Sequence, residues 1–180
     1  NDMSGRELAE AGDVNGDGFG DLIVSALFAD GVGNLRANAG ESYVLFGKPG
    51  GFAPGISLSG LDGTNGFIID GADPSDFAYK IGAAGDVNGD GVDDLVIGAA
   101  AADAAGNARN SAGESYVVFG RTSGFTARLD LGALDGSNGF RLDGDSDGDQ
   151  SGRTVAGGGD FTGDGIADLL IGAPQSDTSD

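Results

Sequence analysis

Residues 12–26 read "GDVNGDGFGDLIVSA". The same pattern returns as "GDVNGDGVDDLVIGA" at residues 85–99 and as "GDFTGDGIADLLIGA" at residues 159–173. The first aspartates of the three copies, Asp13, Asp86 and Asp160, are 73 and 74 residues apart. Between them "AGESYVLFG" (39–47) matches "AGESYVVFG" (112–120), and "LDGTNGFIIDG" (61–71) matches "LDGSNGFRLDG" (134–144). Self-similarity at a fixed period makes the repeat, not the whole chain, the unit whose fold has to be read.

Turn signals cut each unit into four short strands. The first (near 5–11, 78–84 and 152–158) is rich in small residues. The second (22–27, 95–100 and 169–173) is an almost continuous apolar run, the pattern of a strand covered on both faces. The third (41–46 and 114–119) is dense in Tyr, Val and Phe. The fourth (67–70 and 140–143) follows an Asn-Gly turn and is partly polar, as expected of an outer strand. A four-stranded antiparallel meander with a small, buried first strand and a polar last one describes a β-propeller blade. The expected fold is therefore all-β, with repeat 1 at 1–71, repeat 2 at 72–144 and the first half of repeat 3 at 145–180. Two and a half blades are expected to be a segment of a longer array; the rival is an open, solenoid-like stack of sheets.

Composition narrows the chemistry. The 180 residues carry 29 Asp plus Glu against 9 Lys plus Arg, a formal charge of −20, with 37 Gly and no Cys or His. Without Cys or His there is no disulfide frame, no Ser-His-Asp triad and no imidazole- or thiolate-bound metal, and no enzyme activity is expected. The negative charge opposes binding to nucleic acid, whose phosphates it would repel. No apolar run is long enough to span a membrane. Of the 29 acids, 25 are Asp, which points to turns and to ligands for hard cations.

Those ligands fall into the motif D-x-[NT]-x-D-G-x-x-D. It places Asp13, Asn15, Asp17 and Asp21 in the first copy, Asp86, Asn88, Asp90 and Asp94 in the second, and Asp160, Thr162, Asp164 and Asp168 in the third. Oxygen atoms at alternate positions of a tight loop converge on one cation, and Gly at position six allows the turn. Position seven would add its backbone carbonyl, which leaves its side chain free to be apolar, as at Phe19, Val92 and Ile166. The donor set suits Ca²⁺, one ion per loop and three in all. An EF-hand would close with an acid at position twelve. Here Val24, Ile97 and Ile171 stand there, and the closing acid comes at position nine, directly before a strand. Plain Asp-Asn-Gly turns without metal are the alternative; three copies of one five-position pattern favour the ion.

At these residues the sequence resembles the FG-GAP repeat, the blade of the integrin α-subunit propeller and of many bacterial surface proteins. The "GAP" element is intact at Gly172-Ala173-Pro174 and altered at Gly98-Ala99-Ala100 and Ser25-Ala26-Leu27. The "FG" element is reduced to Phe77-Ala78, Ser4-Gly5 and Ser151-Gly152. The resemblance implies a seven-bladed propeller in a parent protein, Ca²⁺ on its lower face and partner binding on its upper face. The expected function is a calcium-binding adhesion or protein-interaction module at the cell surface or outside the cell. A structural spacer repeat and an accessory propeller of a secreted hydrolase are the alternatives.

If the calcium loops lie below, loops 28–39 and 101–112 lie above and are the expected contact for a protein, or a glycan. The absence of Trp tilts this towards protein. Arg36 and Arg109 occupy equivalent places in these loops. Each either pairs with a neighbouring Asp or contacts an acidic ligand. The alternating acids Asp143, Asp145, Asp147 and Asp149 read as a solvated turn rather than a fourth ion site.

Overall fold

The computed structural model describes residues 2–176. Among them the chain forms β1 (Ser4–Gly12), β2 (Asp21–Ala26), β3 (Glu41–Leu45), β4 (Gly66–Asp70), β5 (Lys80–Gly85), β6 (Asp94–Ala99), β7 (Glu114–Val118), β8 (Arg128–Asp130), β9 (Gly139–Asp143), β10 (Thr154–Gly159) and β11 (Asp168–Gly172). A single helical turn, α1 (Ala104–Asn107), lies between β6 and β7. The strands make three sheets, ordered β1-β2-β3-β4-β8, β5-β6-β7-β9 and β10-β11. The expected antiparallel meander recurs with one register. Glu41 faces Asp70 and Leu22 faces Leu45 in the first sheet; Glu114 faces Asp143 and Leu95 faces Val118 in the second. No helix of the described residues is long and apolar enough to cross a membrane.

The main core lies where the sheets face one another. It gathers Ile23, Val44, Phe67 and Ile69 from the first sheet with Leu95, Ile97, Tyr116 and Val118 from the second. Each such side chain contributes about 1.5–3 kcal/mol by leaving water. The inner strand β5 packs against β1 on one side and β10 on the other, so the backbones come close. Gly40 shows why the junction is glycine-rich: its φ is +88°, and a Cβ there would sit 2.5 Å from the Ala78 carbonyl oxygen.

Two expectations need correcting. The second strand is buried along its whole length only in the middle repeat, at β6. Leu22 of β2 is 45% exposed and Leu170 of β11 is 55% exposed, because no element of the described chain covers those faces. The blade is also not uniformly four-stranded, since β8 pairs in parallel with β4 as a fifth strand.

β8 belongs to the connection between β7 and β9, residues 119–138, which reaches across to the first sheet as a strap. Phe125 stacks on Phe67 with ring centroids 4.7 Å apart and lies 5.1 Å from Phe46. Leu129 and Leu131 enter the main core. Arg128 donates Nε–H to Asp70 Oδ2 at 2.9 Å and pairs through Nη2 with both Glu41 and Asp70. β4, expected to be an outer strand, is therefore buried at all five residues. Its counterpart β9 has no such cover and exposes Arg141, Leu142 and Asp143.

Asp70 and Glu41 are both buried, so removing their cation leaves two like charges out of water with no counter-charge, Glu41 keeping only the Tyr43 hydroxyl. Arg128→Ala is expected to lower the stability of the chain by about 2–4 kcal/mol in urea unfolding. A loss under about 0.5 kcal/mol, the scale of an exposed pair, would show that the strap is not held by this cation.

Candidate metal centre

The three motif loops join β1 to β2, β5 to β6 and β10 to β11, and share one local conformation. The Asp13 carboxylate accepts from the N–H of Asp17 at 3.0 Å and of Gly18 at 2.8 Å. Asp86 does the same for Asp90 and Gly91, at 3.0 and 2.8 Å, and Asp160 for Asp164 and Gly165, at 3.1 and 2.9 Å. The position-five carboxylate then accepts from the N–H at position seven: Asp17 from Phe19, Asp90 from Val92 and Asp164 from Ile166, each at 2.9 Å. At position three the Asn15 and Asn88 side-chain oxygens accept from the N–H of Asp17 and Asp90. Position six has φ of +89°, +87° and +89° at Gly18, Gly91 and Gly165, with open space where a Cβ would be. The backbone conformation, not crowding, is what demands glycine there.

The closing acid has a second duty. In the first loop the Asp21 carboxylate is buried and accepts from Val14 N–H at 3.0 Å and from Gly47 N–H at 2.7 Å. In the second, Asp94 accepts from Val87 and Gly120 at 3.0 and 2.8 Å. Each thus ties its loop to the end of the third strand. Burial pushes both carboxyls up to about 6 despite these hydrogen bonds, and the like charges of the loop add to the rise: Asp17 and Asp13 for Asp21, Asp90 and Asp86 for Asp94. In the third loop Asp168 accepts from Phe161 and Thr162 instead, at 2.6 and 2.9 Å. There the Asp160 carboxyl is held below the usual carboxylate range, first by the Gly165 N–H and also by the Thr162 hydroxyl.

Adjacent loops are joined to one another. The N–H of Asp13 donates to Asp93 Oδ2 at 2.8 Å, and the N–H of Ala167 donates to the Asp86 carbonyl at 3.0 Å. Asp93 stands at position eight, which the motif leaves free, so nothing in the motif marked it. Gly47 and Gly120 were likewise visible only as the ends of matching strands.

The donor chemistry fits a hard divalent cation. Every candidate atom is oxygen, a carboxylate can accept beyond the N–H groups it already serves, and a buried closing acid faces two like charges that a cation would offset. As the side chains stand, however, no group of three or more acids among the described residues is gathered to hold a metal ion. The carboxylates are turned to the N–H groups of their own loops.

The sequence profile of the FG-GAP repeat matches residues 9–45, 77–118 and 151–180, more than half of the chain. The chain belongs to the FG-GAP repeat family. In the first two repeats the matched residues run from the first strand to the third and include the loop between them. Integrin alpha pat-2 of Caenorhabditis briggsae is 30% identical over 96% of the chain. The chain spans 13% of that relative's length. FG-GAP repeats are propeller blades, so the all-β blade architecture expected from the strand pattern holds.

On the opposite end, loops 28–39 and 101–112 are fastened internally in the same way. The N–H of Asn38 donates to Asp30 and that of Ser111 to Asp103, at 3.0 and 2.7 Å. Arg36 donates to the Gly71 carbonyl at 2.8 Å and makes a two-pronged pair with Asp130 at 2.6 and 2.7 Å. Its partner is an aspartate of the strap, 94 residues away, rather than a neighbour in sequence. Arg109 donates to the equivalent carbonyl, Gly144, at 2.7 Å. Residues 143–152 form a turn with Asp143, Asp145 and Asp147 exposed, as expected, but Asp149 is buried and accepts from Ser146 N–H at 3.0 Å.

Two predictions follow from these carboxylates. Asp94→Ala strips two N–H groups of their acceptor and is expected to cost about 2–4 kcal/mol in urea unfolding, with chelator present throughout. A cost below 1 kcal/mol would mean that Val87 and Gly120 do not depend on it. Asp76, buried near the upper end, has its carboxyl pushed up to about 7 by burial, with Glu114, Asp73 and Asp103 adding like charge. Its folded-state value lies above the unfolded one, so its contribution is fully present below about pH 4 and is lost as pH rises through 7. Asp76→Asn is expected to raise the Tm at pH 8 by about 5 °C and to leave it nearly unchanged at pH 4. An equal shift at both pH values would contradict this assignment.

Proposed function

We propose that the chain is a calcium-stiffened β-propeller segment serving protein interaction at a cell surface or outside the cell, and that it is not an enzyme. The observation that carries this reading is the loop itself, folded three times into one conformation around the same all-oxygen positions. Asp13, Asn15, Asp17, Asp21 and the Phe19 carbonyl would hold one ion. Asp86, Asn88, Asp90, Asp94 and the Val92 carbonyl would hold the second. Asp160, Thr162, Asp164, Asp168 and the Ile166 carbonyl would hold the third. When bound, the ion supplies positive charge to a cluster of carboxylates. The chain's own part is to keep position six in the left-handed conformation, to keep the oxygens of positions one, three and five on one short loop, and, at Asp21 and Asp94, to tie the closing acid to the end of the third strand. Three ions would reduce the net charge from −20 to about −14. Extracellular modules work at the calcium concentrations that weak loops of this kind require, and the likeness to an integrin alpha chain supports that location.

A spacer role is the second reading, and one observation favours it. The two upper loops are pinned by matching hydrogen bonds, and Arg36 is engaged by Asp130. An upper face built alike in successive blades suits a repeating support better than a site at one blade.

Millimolar CaCl₂ is expected to raise the Tm by about 5–10 °C, and EDTA to reverse it. Asp90 is exposed, so Asp90→Ala should lose part of the calcium-dependent rise while melting within about 2 °C of the parent in EDTA. A melt indifferent to calcium and chelator would sink the metal reading.

A further inference from the structure

The strap that covers β4 has a counterpart in the first repeat. At the 73-residue step of the repeat, Phe52 corresponds to Phe125, Gly55 to Arg128, Ile56 to Leu129, Ser57 to Asp130 and Leu58 to Leu131. Leu58 of this first strap folds back on its own sheet, beside Leu45, Leu61 and Ile68, but its leading apolar residues stand open in the described chain: Phe52 is 43% and Ile56 42% exposed. The counterpart of β4 is equally bare. β9 ends its sheet, and Leu142 is 38% exposed. The aromatic pair beneath it repeats too. Phe119 and Phe140 lie 5.9 Å apart, as do Phe46 and Phe67, but only the latter pair carries a third ring, that of Phe125.

The two acceptor strands differ at one informative place. The first two blades each set a Glu–Asp pair at the upper edge, facing across the strands: Glu41 with Asp70, both buried, and Glu114, buried, with the exposed Asp143. On β4 the pair is neutralised from outside by Arg128 of the strap, and the strand residue opposite Arg128 is Ile68. On β9 the pair is neutralised from within by Arg141, 2.6 Å from Asp143 and 3.3 Å from Glu114. Arg141 is the counterpart of Ile68. Transferred to β9, the parallel register of β4 and β8 sets Arg141 opposite the strap position that is Arg128 in the second repeat and Gly55 in the first. Where the strand holds Ile the strap brings Arg; where the strand holds Arg, a second Arg would meet like charge and crowding, and Gly leaves room. Charge agrees on the larger scale. Residues 46–61 contain one Lys and no acid in a chain of net charge −20.

We propose that the β9 edge is an acceptor for the strap of another FG-GAP repeat, added as a parallel fifth strand. The strap it selects is of the kind seen at residues 48–61, free of acids and of arginine: an extended segment with Phe set between Phe119 and Phe140, Gly opposite Arg141 and an aliphatic residue opposite Leu142. Straps and outer strands lie outside the residues that define the family repeat, so this pairing adds to the shared core a rule for which blades can be neighbours. Backbone pairing along the edge supplies affinity and the Arg–Gly match supplies selectivity.

The test uses the 180-residue chain and two fluorescein-labelled peptides, residues 48–61 and residues 121–134, read by fluorescence anisotropy. The 48–61 peptide is expected to bind with a Kd of about 10–100 µM, at least tenfold tighter than the 121–134 peptide, and a Phe52→Ala peptide to lose most of that affinity. In Arg141→Ile the preference is expected to invert, because the Arg128-bearing peptide then supplies the missing cation to Glu114 and Asp143. Should that variant fail to fold, the comparison of parent and Phe52→Ala peptides on the unaltered chain decides. Equal binding of both peptides, binding of a scrambled 48–61 peptide at similar strength, or no binding overturns the proposal.

Discussion

Two carboxylates, Asp21 and Asp94, hold together parts of the blade that no sheet hydrogen bond connects. Each sits at the start of a second strand and accepts one N–H from its own motif loop and one from the glycine after its third strand. An unmade bond to a buried N–H costs more than a made one contributes, so each acid fixes the loop, the strand start and the strand end in one geometry. The apolar meander supplies most of the burial energy, but it is indifferent to where its turns lie. The carboxylate removes that freedom, and it does so at the loop where an ion would sit.

At the other end of the sheets the difficulty is reversed: acids must be buried without an ion. Glu41 with Asp70 and Glu114 with Asp143 would repel each other if left alone. One arginine answers each pair, reaching in from the strap at Arg128 and from the strand itself at Arg141. Tyr43 and Tyr116 donate their hydroxyls to the two glutamates, so every member of each cluster has a partner. The lower end of each blade therefore collects uncompensated negative charge in exposed loops, whereas at the upper end each Glu–Asp pair has its own arginine. This division suits a metal reading for the first and a structural reading for Arg36, Arg109 and their loops.

Much of this was legible beforehand. Internal repetition marked the antiparallel meander of each blade, though not the fifth strand β8, and the registers of β2 with β3 and β3 with β4 recur 73 residues later because the apolar pattern recurs. The motif loops were legible for a related reason: the hydrogen bonds made by positions one, three and five join residues two to five apart, a distance over which sequence order dictates geometry. The strap was not. Its Phe125, Leu129 and Leu131 look like the irregular apolar residues of any long connection, and its partners on β4 lie more than fifty residues away. Asp93 and Asp130 were missed on the same ground, since each acts on a residue of another repeat.

What the amino-acid order determined by itself is therefore local and periodic: the strands, the turn glycines and the spacing of oxygen donors, all set by dihedral preference and by contacts within a few residues. Tertiary structure alone decided which copy of a repeated element is buried. β4 and β9 share a pattern, yet one is covered and the other open, because burial depends on whether a neighbour arrives, and the sequence of a strand does not contain its neighbour. The pairing of Arg128 with Ile68, against Arg141 and Gly55, is where that neighbour leaves a trace in the sequence. It becomes readable only once the sheet has placed the four residues in register.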